Sequence, residues 1–256
     1  MAQADGQRQP RRCAAPGVVR VEAGPAGPVV HPPDGAGTVV LYVHGDRYLR
    51  GAPEAALDRA RDLALRTGAT VVCSRYRGVF PAALEDVHAG YRYSQALGPV
   101  AVAGRRVGAG LAAALLIRLR DTGAALPRCA VLISALLDLA MQAPSVRLNA
   151  AADPSLDPAE LRRRARRYAA FTPPTDPLLS PLRANLHGLP PVLLLAAGTD
   201  LLLDDSVAFA ARAARSGVAV DLHIRPDAAS LDAHLLPALA EFLGARPAAA
   251  PGSARA

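Results

Sequence analysis

The 256-residue chain has no tryptophan and no lysine, and only three cysteines. Cys13, Cys73 and Cys129 are scattered, with no Cys-x-x-Cys and no His-x-x-x-His spacing anywhere. That pattern excludes a disulfide framework and the usual zinc ligand sets, so no metal and no cofactor is expected. No apolar run approaches the ~18 residues of a membrane span, and no membrane insertion is expected. The first residues, MAQADGQRQPRRCAAPG, lack the apolar centre of an export signal, which makes the cytoplasm the expected compartment.

What the chain does have is arginine and apolar bulk. All 29 basic residues are arginine against 22 acidic ones, giving a formal charge of +7 and a pI near 10.0. A charge of this size has to be weighed against nucleic-acid binding. The densest run, ELRRRARRYAA at 160–170, spreads its arginines around a helix and carries no alternating aromatics for base stacking. It reads as a solvated helix face, and the lysine-free, alanine-rich composition as a bias of the whole chain, so no nucleic-acid partner is expected. Hydrophobic residues make up 51% of the chain, enough for one large core.

Residues 1–16 and 246–256 are rich in Pro, Gly, Ala and Arg and are expected to be disordered tails around one domain at 17–245. Within it, short apolar β-rich runs alternate with amphipathic helical segments. The strand-like runs include TVVLYVHG (38–45), TVVCSRYR (70–77), 100–103, CAVLISAL (129–136), PPVLLLAAGTD (190–200) and VAVDLHIRP (218–226). Helical segments are read at 53–68, 81–97, 111–120, 205–217 and 235–245. Continuous apolar strands between helices predict an α/β fold with a mostly parallel, doubly wound sheet covered on both faces. In such sheets ligands bind beyond the carboxyl ends of the strands. The polar stretch 139–190 is too long for a simple crossover. It contains a helix marked by Asp157 as N-cap, Pro158 at N1 and Glu160 at N3, and is read as a small helical lid insertion.

Six stretches follow one another in a telling order: VVLYVHGDRYLRG, RYRGVFPAALEDV, GRRVGAG, ISALLDL, LHGLPPVLLLAAGTDLLLDDS and LHIRPDAAS. Together they resemble the α/β-hydrolase fold in its hormone-sensitive-lipase-like branch of bacterial esterases and lipases, from about residue 18 to residue 245. In that family a serine at a strained strand–helix turn attacks an ester carbonyl, a histidine takes its proton and a carboxylate orients the histidine, in the chain order Ser, Asp, His. Backbone amides of an H-G-G-G loop and of the residue after the serine hold the oxyanion.

Carried over position by position, the resemblance implies Asp200 as the surviving acid, while Arg106 occupies the nucleophile's place and Ser230 that of the histidine. His234 could act as base only if the DAASLDA loop reached back over the site. The oxyanion loop keeps His44 and Gly45, replaces the next glycines with Asp46 and Arg47, and has Val107 after the nucleophile position. Asp204 and Asp205 are assigned helix-start or loop work, and His223 packing or surface. Ser134 and Ser180 lie in matching segments outside the turn.

An arginine stays protonated, with a pKa above ~12, and cannot attack an acyl carbon. The resemblance therefore implies a carboxylesterase-derived protein without Ser-His-Asp hydrolysis, in a binding or scaffold role. Two alternatives stand beside it. One is an active ester hydrolase with a non-standard nucleophile. The other is an anion-binding protein using Arg47, Arg75, Arg105 and Arg106. The partner implied is a small-molecule ester or anion. If no anion is bound, Arg106 is expected to pair with Asp200 and Asp227 across the former site.

Overall fold

The computed structural model describes residues 18–35, 37–45, 53–153 and 157–245. Eight strands make one sheet: β1 (Arg20–Gly24), β2 (Gly27–His31), β3 (Val39–Val43), β4 (Thr70–Cys73), β5 (Val100–Arg105), β6 (Ala130–Ile133), β7 (Val192–Ala197) and β8 (Val220–Arg225). Their order is β1-β2-β4-β3-β5-β6-β7-β8. β1 and β2 form an antiparallel hairpin that joins β4 antiparallel, and every later pairing is parallel.

Strand alternation divides the core in two. On β3, Val39, Leu41 and Val43 face one layer and Val40 and Tyr42 the other; on β7, Val192 and Leu194 oppose Leu193, Leu195 and Ala197. The first layer is closed by α2 (Ala82–Leu97), α3 (Val107–Asp121) and α6 (Leu203–Arg215), the second by α1 (Leu57–Thr67) and α7 (Ala228–Gly244). β3, β5, β6 and β7 are buried on both faces, which is why they read as unbroken apolar runs. Between β6 and β7 lie α4 (Ser145–Leu148) and α5 (Pro158–Ala169). Asp157 caps α5 through the amides of Ala159 and Glu160, and Leu161, Ala165 and Tyr168 turn inward while most of its arginines face solvent. No helix among the described residues is long and apolar enough to cross a membrane.

Two helices start earlier than the sequence suggests. α3 begins at Val107, so Gly108, Ala109 and Gly110 are its first turn instead of a loop before it. The low helix propensity of glycine is overridden by packing: a Cβ at Gly108 would stand 2.0 Å from the Val43 carbonyl oxygen. α7 begins at Ala228, capped by Asp227, whose Oδ1 accepts the Ser230 amide at 2.8 Å. The DAASLDA stretch is therefore a cap and two helical turns, not a loop able to reach across the sheet.

Candidate functional site

The carboxyl ends of β3, β5 and β7 converge on the turn between β5 and α3. Arg106 sits at its tip with φ 54° and ψ −116°, outside the regions open to a side-chain-bearing residue. Such backbone costs ~1–3 kcal/mol and persists only where its surroundings over-determine it. Here they do. The Arg106 amide donates to Ile133 O at 2.8 Å, and its carbonyl accepts from Gly110 at 3.2 Å and from Leu136 at 3.2 Å. Glycines admit the neighbouring backbones: a Cβ at Gly45 would stand 1.6 Å from Arg105 O, one at Gly104 2.4 Å from Gly108 O, and one at Gly110 2.4 Å from Leu136 O.

The loop after β3 lies directly against this turn. Tyr76 Oη donates to the His44 carbonyl at 2.6 Å, and its ring stacks on the His44 ring with centroids 5.1 Å apart. Asp46 and Arg47 lie outside the described residues, and Val107 is buried in the first turn of α3.

Asp200 follows β7 and is buried. Its Oδ1 accepts the Leu202 amide at 3.0 Å, and Oδ2 meets no protein donor among the described residues. The expected pairing of Arg106 with Asp200 and Asp227 does not form, because Asp200 is turned to Leu202 and Asp227 caps α7. The neighbouring arginine forms a pair instead: Arg105 Nη1 lies 3.1 Å from Asp232 Oδ1 on α7. Arg59 Nη1, on α1, is 3.6 Å from that same oxygen. Arg75 is drawn away to Glu54, at 2.6 Å. Of the expected cluster Arg105 and Arg106 line one cavity, Arg75 does not, and Arg47 lies outside the described residues; Arg59, which no motif marked, joins the first two.

His234 is also engaged elsewhere. Its Nε2 is 3.0 Å from His223 Nδ1, and its Nδ1 is 2.6 Å from Arg225 Nη2. Arginine has only donors, so His234 Nδ1 accepts and its Nε2–H donates to His223. Partial burial, the Arg225 cation and His223 hold the His234 pKa below its usual value. The ring is tied across β8 and does not address the turn.

Asp204 and Asp205 do loop work. Asp205 Oδ2 accepts the amides of Leu137 and Asp138 at 2.8 and 3.0 Å, and Asp204 Oδ2 accepts Ser145 N at 2.8 Å. Ser145 Oγ donates to Leu201 O at 2.8 Å, and Asn149 Nδ2 to the carbonyls of Gly198 and Asp200 at 2.9 and 2.8 Å. Burial raises the Asp205 pKa to about 6 against the pull of its two amide donors. With the folded value above the unfolded 3.8, the folded chain holds this proton through a window where the unfolded chain has released it. Stability from this group is full below pH 3.8 and is lost as pH rises to about 6. Asp205→Asn keeps an oxygen for both amides and removes the buried charge. Relative to the unmodified chain it should gain on the order of 2–3 kcal/mol between pH 4 and pH 7 in urea unfolding. A difference that does not change with pH would refute this.

Two spaces flank the turn. Toward α5 only about 10 Å³ remains between Val107, Gly110, Leu136, Tyr168 and Leu178, roughly the room of one water. On the opposite side a polar cavity of about 290 Å³ is bounded by Tyr42, His44, Arg59, Arg105, Arg106 and Asp232.

Comparison with known proteins places this geometry. A family profile described as alpha/beta hydrolase fold matches residues 40–229. An acetyl-hydrolase of Streptomyces hygroscopicus is 40% identical over 206 residues, covering 77% of this chain and 69% of that protein. The chain spans about two thirds of the length of the curated relatives it matches. A solved hormone-sensitive lipase from a metagenome library aligns with a TM-score of 0.84 at 28% identity, over 92% of this chain and 86% of that one. An esterase/lipase from an uncultured bacterium aligns with a TM-score of 0.82 at 28% identity, over 97% and 95%.

Proposed function

This chain belongs to the alpha/beta hydrolase fold family, and from that premise we propose that it keeps an esterase scaffold without Ser-His-Asp hydrolysis and serves as a binding protein. One observation carries the proposal: the strained tip between β5 and α3, at φ 54° and ψ −116°, presents a guanidinium. A nucleophile elbow holds its serine at a strained strand-to-helix turn, and here that place belongs to Arg106. Guanidinium has no lone pair to offer at neutral pH.

Other features support the same reading. Ser230, in the histidine's place, is a helical residue of α7 whose hydroxyl cannot replace an imidazole base. Asp200 keeps a buried carboxylate with one oxygen open, but has no imidazole to orient. The space beside Val107 is too small for an acyl chain. Loss of nucleophile and base together removes ~10⁶ of turnover in a well-studied serine protease, so scaffold binding is what would remain.

The test is direct. Purified protein should show no saturable hydrolysis of p-nitrophenyl acetate or butyrate and no covalent labelling by a fluorophosphonate. Saturable turnover that disappears on Asp200→Ala would overturn the proposal and establish a non-standard nucleophile.

A further inference from the structure

We propose that the cleft at the amino ends of β5 and β6 binds a small amphipathic monocarboxylate through Arg128. It lies at the opposite end of β5 from Arg106, so it stands apart from the functional reading above.

One cation here lacks a counter-ion. Arg128, two residues before β6, is half-buried, and its amide donates to Val100 O at 2.9 Å. Its Nη1 donates to Thr38 Oγ1 at 3.1 Å, a neutral acceptor. Its Nε is sealed from water and meets no acceptor, and no carboxylate among the described residues pairs with the guanidinium. A guanidinium drawn out of water needs an opposite charge or a full set of acceptors. Arg120 shows what that compensation looks like in this chain. It pairs with Asp121 and donates to the carbonyls of Asn185 and His187. Arg128 has nothing comparable.

The space beside it has the size of a ligand site. Tyr91, Gln95, Pro99, Val100, Leu126 and Arg128 wall a cleft of about 490 Å³, within the ~300–1,000 Å³ of ligand pockets. The Tyr91 ring is a fixed wall, since its Oη donates to Ala125 O at 2.9 Å. Tyr91, Pro99, Val100 and Leu126 offer apolar surface beside the one guanidinium.

Charge and shape select the ligand. A single guanidinium calls for a single negative charge, and its free Nη2 donors suit a carboxylate. α2 ends at Leu97 in the same wall, and the negative end of its dipole amounts to roughly half a charge. That partial charge offsets some of the Arg128 cation and repels a dianion twice as strongly as a monoanion. Phosphate monoesters are disfavoured on this ground. The apolar walls reward a body of several carbons, which acetate lacks.

Calorimetric titration of the full chain with benzoate, hexanoate, benzamide and acetate, at constant low ionic strength, tests the site. Benzoate or hexanoate should bind saturably at one site per chain, about tenfold or more tighter than benzamide and acetate. Arg128→Met, which keeps the apolar stem, should weaken that binding about tenfold. It should unfold in urea no earlier than the unmodified chain, because the cation it removes has no counter-ion. Gln95→Glu, at an exposed position of α2, sets a fixed carboxylate in the cleft and should weaken benzoate by a similar factor in a folded chain. Absence of saturable acid binding at millimolar concentration, benzamide binding as tightly as benzoate, or unchanged binding in both folded variants would overturn the site. Tighter binding of benzoate than of hexanoate assigns the ligand to aromatic acids; the reverse order assigns it to aliphatic ones. Ester turnover by the unmodified chain would overturn the functional reading alone, since Arg128 and Arg106 stand at opposite ends of β5.

Discussion

Arg106→Ser combined with Ser230→His is expected to raise ester hydrolysis above that of the unmodified chain. The backbone at 106 already has φ 54° and ψ −116°, held by the Ile133, Leu136 and Gly110 partners, none of which involves the arginine side chain. A serine there inherits the exposed, strained presentation. Position 230, in the first turn of α7, is the place that the family resemblance gives the histidine, so the imidazole is introduced there. The buried Asp200 carboxylate has Oδ2 available to orient it. A positioned base supplies ~10²–10⁴ in rate, and an unrefined triad should reach the lower end. The expected result is fluorophosphonate labelling near one per chain and p-nitrophenyl acetate turnover about 10² above the unmodified protein. Adding Asp200→Ala should return it to baseline, since removing the orienting carboxylate costs ~10⁴ in the protease case. A folded double variant with neither labelling nor turnover would show that Arg106 and Ser230 are not the nucleophile and base positions.

Gly108→Ala is expected to abolish the folded state or destabilise it by more than ~4 kcal/mol. Propensity alone predicts the opposite sign, because alanine is favoured over glycine inside a helix by ~1 kcal/mol. Packing decides it. The new Cβ would stand 2.0 Å from Val43 O and 2.5 Å from His44 O, and both are backbone atoms of a fully buried strand end that cannot step aside. Gly90 is the internal control. It is equally buried in the middle of α2, but its Cβ would meet Leu41 Cδ1 and Ser74 Oγ at 3.5 Å, ordinary contact distance. Gly90→Ala should therefore be neutral or stabilising by up to ~1 kcal/mol. Thermal and urea unfolding of the two variants side by side checks the pair, and similar stabilities would refute the steric account.

These contrasts show why parts of the molecule were legible in the sequence. The sheet was, because β3, β5, β6 and β7 are buried on both faces and leave unbroken apolar runs that no exposed strand would carry. The turn was, because Gly104, Gly108 and Gly110 mark where backbones touch. The helix starts were not, since the same glycines read locally as a loop and Asp227, before a short run of alanine and serine, reads as loop too. Taking 227–233 as a loop left Asp232 without a role and gave Arg106 the partners Asp200 and Asp227, whereas α7 brings Asp232 to Arg105 and Arg59. The cap signal, an aspartate with a serine three residues on, was present. The pairing of Arg59 with Asp232 joins residues far apart in sequence, on α1 and α7, and no local pattern encodes it.

The hydrogen bonds around Asp205 also say how the described part of 139–190 is fastened to the body. One end of that segment is bolted to the β7–α6 turn, through Asp204, Asp205, Ser145 and Asn149. The other returns to the same place: Leu182 N donates to Leu137 O at 2.9 Å, Leu139 N to Ser180 Oγ at 2.8 Å, and Arg183 pairs with Asp138 at 2.9 Å. Ser180 Oγ in turn donates to Pro174 O at 2.5 Å. The segment is a buckle closed at its base, not a flap hung from one hinge. The helix between the two ends is fastened as well: Phe80 N donates to the Tyr168 carbonyl at 2.8 Å, and Leu161, Ala165 and Tyr168 join the core beside the turn that carries Arg106.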